Sequence, residues 1–144
     1  MTNKYNTVSV PIAERLHEAG IKLKTAFFYD TDGDLWVEDN DPNDTTEDDL
    51  AFIRLADRLI EYTTYSTTRF PAPTFQDIWN ALPKDITIDS DIYYLYINKE
   101  DDYIGYYNSI LRKEYIAVKI KDGLVEAAAE LLLHLKEKGI WHIK

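Results

Sequence analysis

Apolar residues recur along this chain at two different periods, and the switches between them predict its elements. Ile12, Ala13, Leu16 and Ala19 fall at helical spacing, which predicts a helix over residues 9–19. Ser9 stands where an N-cap belongs, Pro11 lies in the first turn, and Gly20 suits the C′ position. The period then changes. Thr25-Ala-Phe-Phe-Tyr29 and Leu35-Trp-Val37 are rich in aromatic and β-branched residues, as strands are. Asp32-Gly33 between them is a favoured two-residue hairpin turn, because a type I′ turn needs positive φ at both central positions. That register sets Tyr29 opposite Trp36 and Phe28 opposite Val37.

A second helix is predicted from about Glu47 to Tyr62. Leu50, Phe52, Ile53, Leu55, Ala56, Leu59 and Ile60 form a wide apolar arc at about 100° per residue. Arg54, Asp57, Arg58 and Glu61 lie on the other side at spacings that pair charges. Residues 63–73, rich in Thr and Pro, read as a linker. Thr74 and Asp77 are spaced as an N-cap and its N3 partner. Phe75, Ile78, Trp79 and Leu82 complete the apolar face of a short helix that Pro83 stops. Strands are predicted over 92–97, 103–107 and 114–120, with a turn at 99–102, and a last helix over 124–138 before Gly139. The fold class is therefore α+β: a single domain over 1–144, with helices packed on an antiparallel sheet of about four to six strands.

Composition changes this picture in two respects. The 144 residues include no cysteine, which removes disulfides, thiolate metal ligands and cysteine nucleophiles together. The net charge is −10, and it is unevenly placed. Ten acidic residues and no Lys or Arg lie between Asp30 and Asp49. A chain this acidic is repelled by phosphate backbones, so direct nucleic-acid binding is disfavoured. A protein partner is favoured, and among proteins a basic one. The N-terminus has no apolar signal segment, and the greasiest stretch, 124–135, carries Glu126, Glu130 and His134. The expectation is a cytoplasmic protein that does not enter a membrane.

The acidic segment divides by cause. Asp30-Thr-Asp-Gly-Asp34 invites a calcium reading, since a hard cation seeks alternating carboxylates. The EF-hand pattern fails, because Gly33 falls at loop position 4 instead of 6 and Asp41 stands where a glutamate belongs. Asp30, Asp32 and Asp34 read first as turn residues, and second as a cation- or small-ligand-binding module. Glu47, Asp48 and Asp49 suit the first turn of a helix. Glu38, Asp39, Asp41 and Asp44 have no such folding reason, and they are candidate partner-binding residues.

Six tyrosines, Tyr93, Tyr94, Tyr96, Tyr103, Tyr106 and Tyr107, crowd the second half. On a strand, Tyr94 and Tyr96 share one face while Tyr93 and Leu95 share the other. Tyr94, Tyr96 and Tyr106 are candidates for an exposed aromatic contact surface. The alternative is cross-strand pairing that only stabilises the sheet. His17, His134 and His142 do not cluster, and no GxSxG, P-loop, HExxH or GxGxxG motif occurs. The expectation is no enzyme and no cofactor. The leading reading is a non-enzymatic protein that binds another protein through an acidic and aromatic surface. One form of it is nucleic-acid mimicry, in which carboxylates stand in for phosphates and block a DNA-binding protein.

Phe70-Pro-Ala-Pro-Thr-Phe-Gln-Asp-Ile-Trp-Asn-Ala-Leu-Pro83, followed by Ile92-Tyr-Tyr-Leu-Tyr-Ile-Asn-Lys-Glu-Asp-Asp-Tyr-Ile-Gly-Tyr-Tyr107, resembles a group of small acidic proteins. Phages, prophages and other mobile elements of gut Bacteroides-type bacteria encode them. Val8-Ser-Val-Pro-Ile-Ala-Glu-Arg-Leu16 and Glu126-Ala-Ala-Ala-Glu-Leu131 fit the same pattern. The resemblance covers most of the chain and implies a cytoplasmic accessory protein of a mobile element. It assigns no residue a role.

Overall fold

The computed structural model describes residues 6–30, 32–38, 51–56, 59–64 and 70–141, with backbone alone at 38, 51–56 and 59–64. The architecture is α+β. A first antiparallel sheet holds β1 (Phe27–Tyr29), β2 (Leu35–Glu38), β3 (Ala51–Ala56), β4 (Leu59–Thr64) and β5 (Phe70–Pro71), in the order β4-β3-β2-β1-β5. A second holds β6 (Asp85–Ile88), β7 (Asp91–Asn98), β8 (Tyr103–Asn108) and β9 (Lys113–Lys119), in sequence order. The helices are α1 (Val10–Glu18), α2 (Phe75–Ala81) and α3 (Leu124–Glu137).

α1 begins as its sequence predicts, with Ser9 in extended conformation at the N-cap and Pro in the first turn. The Ser9 hydroxyl does not cap its own helix. Its backbone N–H and its Oγ–H both donate to the Glu126 carboxylate of α3, the latter at 3.0 Å. Arg15, two turns on, makes a two-pronged ion pair with Glu130. α1 is thus tied to α3 along one side, while Ile12, Ala13 and Leu16 are buried.

α2 has a complete capping box. Thr74 Oγ1 accepts the Asp77 N–H at 3.2 Å, and Asp77 Oδ2 accepts the Thr74 N–H at 2.9 Å. Trp141 Nε1 donates to the Ala81 carbonyl at 2.9 Å, and Tyr106 Oη donates to the Pro83 carbonyl at 2.7 Å. Side chains from far along the chain therefore satisfy one carbonyl that the end of α2 leaves open and one just beyond it.

α3 lies across β8 and β9 and against α1 and α2. It buries Val125, Ala128, Ala129, Leu131, Leu132 and Leu135. These join Val8, Leu16, Tyr29, Ile78, Ile104 and Tyr106 in one apolar cluster. Each fully buried Leu or Ile there contributes about 2 kcal/mol. The first sheet joins this core through β1, where Tyr29 is buried and donates from Oη to the Val8 carbonyl at 2.7 Å.

Residues 51–56 and 59–64 correct the sequence expectation. They form strands β3 and β4, where a helix over 47–62 was expected, and their register sets Ile53 opposite Tyr62 and Arg54 opposite Glu61. A dense apolar run satisfies the helical period and the strand period at once. The content of Phe52, Ile53, Ile60, Tyr62, Thr63 and Thr64 favours strands, and the edge of β2 supplies a partner for β3. The short strand β5 lies in the stretch expected to be linker, and β6 precedes the strands expected of the second half. The hairpin β1–β2 forms with a register one residue away from that expected: Tyr29 is opposite Leu35, and Phe28 is opposite Trp36. Asp30 N–H donates to the Asp34 carbonyl, and Gly33 N–H donates to the Asp30 carbonyl. Gly33 takes φ +84°. A longer loop ending on a left-handed glycine replaces the two-residue turn.

Candidate functional site

The two faces of the second sheet have different fates. Tyr93 and Ile104 are buried beneath the helices, and Leu95 and Ile97 pack on the same core. Tyr106 belongs with them. It is opposite Leu95 in register and is 0% exposed, so it is a core residue and leaves the set of candidate contacts. Burial, with Asp85 nearby, pushes its proton loss well above the usual tyrosine range.

The outer face carries Tyr94, Tyr96, Tyr103 and Tyr107. Tyr96 lies opposite Gly105. Its ring meets Tyr103 edge-on at 5.5 Å and Tyr107 at 5.3 Å. Tyr103 Oη accepts from Asn98 Nδ2 at 3.2 Å and donates to the Glu114 carboxylate. Tyr96 is half-buried, and its Oη is shielded from solvent without a hydrogen-bonding partner of normal geometry. Desolvation, with the Tyr103 hydroxyl and the Glu114 carboxylate beside it, holds that proton far more tightly than in free tyrosine. Tyr96 is therefore the packed centre of the face. Tyr94, 56% exposed, is its accessible member.

A β-bulge at Tyr106 and Tyr107 completes this face. Tyr106 is opposite Ile116, yet Tyr107 is opposite Glu114, so β9 contributes one extra residue. That residue, Tyr115, packs against buried Tyr93 with ring centroids 5.7 Å apart. Glu114 is left beside Tyr107 on the outside.

Residues missing from the sequence reading are adjacent. Among the described residues, the exposed large hydrophobics are Ile92, Tyr94, Ile110 and Leu111. All four sit at one end of this sheet. Ile92 and Tyr94 open β7, and Ile110 and Leu111 form the tip of the β8–β9 turn. Asn108 Nδ2, at the base of that turn, donates to the Ile92 carbonyl at 3.0 Å. Ile110 is 90% exposed.

The β7–β8 turn, at the other end of β8, has a similar backbone and a different composition. In β7–β8, Asn98 accepts the N–H groups of Glu100 and Asp101, and Asp102 takes φ 53°. In β8–β9, Asn108 accepts the N–H of Leu111, and Arg112 takes φ 53°. The first turn is built from Lys99-Glu-Asp-Asp102 and the second from Ser109-Ile-Leu-Arg112. The backbone solution is shared, and only one of the two turns is apolar. That contrast between Ser109–Arg112 and Lys99–Asp102 is the signal by which the sequence could have marked the site.

The other candidates are placed elsewhere. Asp30, Asp32 and Asp34 can bring one oxygen each within 4.8 Å of the others. The Asp30 carboxylate is already engaged: Oδ1 accepts the N–H groups of Asp32 and Asp34, both at 2.9 Å, and Oδ2 accepts Trp36 Nε1 at 2.8 Å. Those bonds organise the turn, as an aspartate opening a turn does. The melting temperature is expected to be the same in millimolar calcium as in chelator, because a ligand of the native state must raise it. A rise abolished by Asp32→Asn would restore the cation reading. Glu38 ends β2 opposite Phe52. Asp39, Asp41 and Asp44 lie outside the described residues. His17 meets the Phe70 ring edge-on at 5.1 Å, a packing contact.

A groove of about 320 Å³ runs between α1, the end of β9 and α3. Of its three carboxylates, Asp122, Glu126 and Glu130, the last two are already bound to Ser9 and Arg15. No helix among the described residues is long and apolar enough to cross a membrane. Comparison with protein-family models, curated proteins and solved structures finds no match.

Proposed function

We propose that the chain is a non-enzymatic protein that binds another protein through the outer face of its second sheet. The observation that carries this is the gathering of Ile92, Tyr94, Ile110 and Leu111 at one end of that sheet, whereas the comparable β7–β8 turn is charged instead. Large apolar side chains held in water gain about 25 cal/mol for each Å² that a partner covers. A rigid aromatic beside aliphatic anchors, with polar groups around them, is the usual make-up of a binding hot spot. The net charge of −10 favours a basic protein over a nucleic acid. Glu38, Asp39, Asp41 and Asp44 enter this reading through long-range charge. The resemblance to small phage and prophage proteins supports an accessory role for a mobile element, carried out in the bacterial cytoplasm.

The test is affinity capture from host cells carrying such an element, with the wild-type chain and with Ile110→Asp/Leu111→Asp. At least one protein held by the wild type is expected to be lost with the double variant. Both side chains are exposed, so stability should change by no more than about 0.5 kcal/mol per site. An identical set of captured proteins would refute the proposal.

A further inference from the structure

The chemistry of the partner is written in a row of residues across the outer face; this step rests on the protein-binding reading above. Asp85 is opposite Tyr94, Tyr94 is opposite Tyr107, and Tyr107 is opposite Glu114. Directly opposed residues of antiparallel strands share a face, with Cβ atoms about 5 Å apart. The four strands therefore present carboxylate, phenol, phenol and carboxylate in one line. Asp85, Tyr94 and Glu114 are exposed, and Tyr107 is half-buried against Tyr96. Tyr103 Oη holds Glu114 from the side.

A guanidinium matches such a row better than any other side chain. It is planar and weakly hydrated, it lies flat on an aromatic ring, and it donates in a fork to a carboxylate. An ammonium keeps the charge but loses the stacking and the fork. An acidic group would meet negative charge at both ends. The cations on adjoining strand positions lie off the row: the Lys84 carbonyl accepts the Leu95 N–H, so Lys84 falls beside the inward-facing Leu95. Lys119, opposite Tyr103, donates to the Asp101 carbonyl at 2.9 Å. Lys113 is opposite Asn108, whose side chain is buried, and so it belongs to the next row. Arg112 lies within the turn. We infer that the Asp85–Tyr94–Tyr107–Glu114 row binds an arginine of the partner protein, while Ile92, Ile110 and Leu111 receive the partner's apolar residues.

The test uses fluorescein-labelled hexa-arginine and hexa-lysine peptides, titrated by anisotropy against the full chain at physiological ionic strength. Asp85→Asn/Glu114→Gln and Tyr94→Leu are each expected to weaken hexa-arginine binding by about fivefold or more. Glu100→Gln/Asp101→Asn removes the same charge from the β7–β8 turn and should change it less than about twofold, as expected for exposed charges largely screened by salt. Hexa-lysine should bind more weakly than hexa-arginine. If the control pair weakens binding as much as the row pair, or if lysine binds as well as arginine, general acidity explains the attraction and the inference falls. Capture separates the two levels. Loss of the captured protein with Ile110→Asp/Leu111→Asp but not with Asp85→Asn/Glu114→Gln overturns the arginine row and leaves the binding face standing.

Discussion

Gly105→Ala is expected to destabilise the protein by about 3 kcal/mol or more, at the upper end of what overpacking costs. A Cβ at this position would stand 2.0 Å from the Ile116 carbonyl oxygen, 2.9 Å from Ala117 Cα and 3.0 Å from the Ile116 carbonyl carbon. All three are backbone atoms of β9, so no side chain can rotate away. The cause is the close approach of two strands, with Tyr96 and Ala117 registered on either side of the glycine. Relief requires β8 and β9 to part. Such parting would draw Ile104 and Tyr106, the fully buried residues flanking Gly105, out of the core. A domain of this size is stable by roughly 5–15 kcal/mol, so the loss is a large fraction. Urea unfolding should show a much lower midpoint. A midpoint within error of wild type would show that the strands yield far more easily than this geometry allows.

The second large effect separates two neighbouring tyrosines. Tyr106→Ala is expected to cost about 3–5 kcal/mol, the range for removing a buried aromatic ring. Tyr106→Phe keeps the ring and costs about 1–2 kcal/mol, because the Pro83 carbonyl loses its donor. Tyr94→Ala should fall within about 0.5 kcal/mol of wild type, since more than half of that side chain is exposed. Thermal unfolding of the three variants reads the series directly. Equal losses at Tyr94 and Tyr106 would contradict the assignment of one to the surface and the other to the core.

These tyrosines also show what the sequence does and does not reveal. Alternation states which residues share a face, so Tyr94 with Tyr96 was readable. It does not state which face α3 covers, and it does not register one strand on the next. Tyr106 falls inside because it pairs with Leu95, a fact of register alone. α2 was readable in full, since its capping box and its proline stop lie within ten residues of chain. Residues 51–64 were not, because paired apolar residues such as Phe52-Ile53 and Leu59-Ile60 fit both periods, and the partner strand β2 decides between them. The Asp30 turn was located correctly but not counted correctly. The bond from Trp36 Nε1 to Asp30 comes from outside the turn and helps set a register that turn composition alone does not. Ile110 and Leu111 were missed because two apolar residues in a turn have no period.

The bonds from Ser9 and Arg15 to Glu126 and Glu130 bear on the order in which the chain is made. Those partners are separated by 117 and 115 residues. α1 has nine residues, too few to persist alone in water. During synthesis it leaves the ribosome before α3, yet the carboxylates that hold its first and second turns belong to α3. α1 thus settles only once α3 has been made. More than a hundred residues must be synthesised before the two ends of that contact can meet.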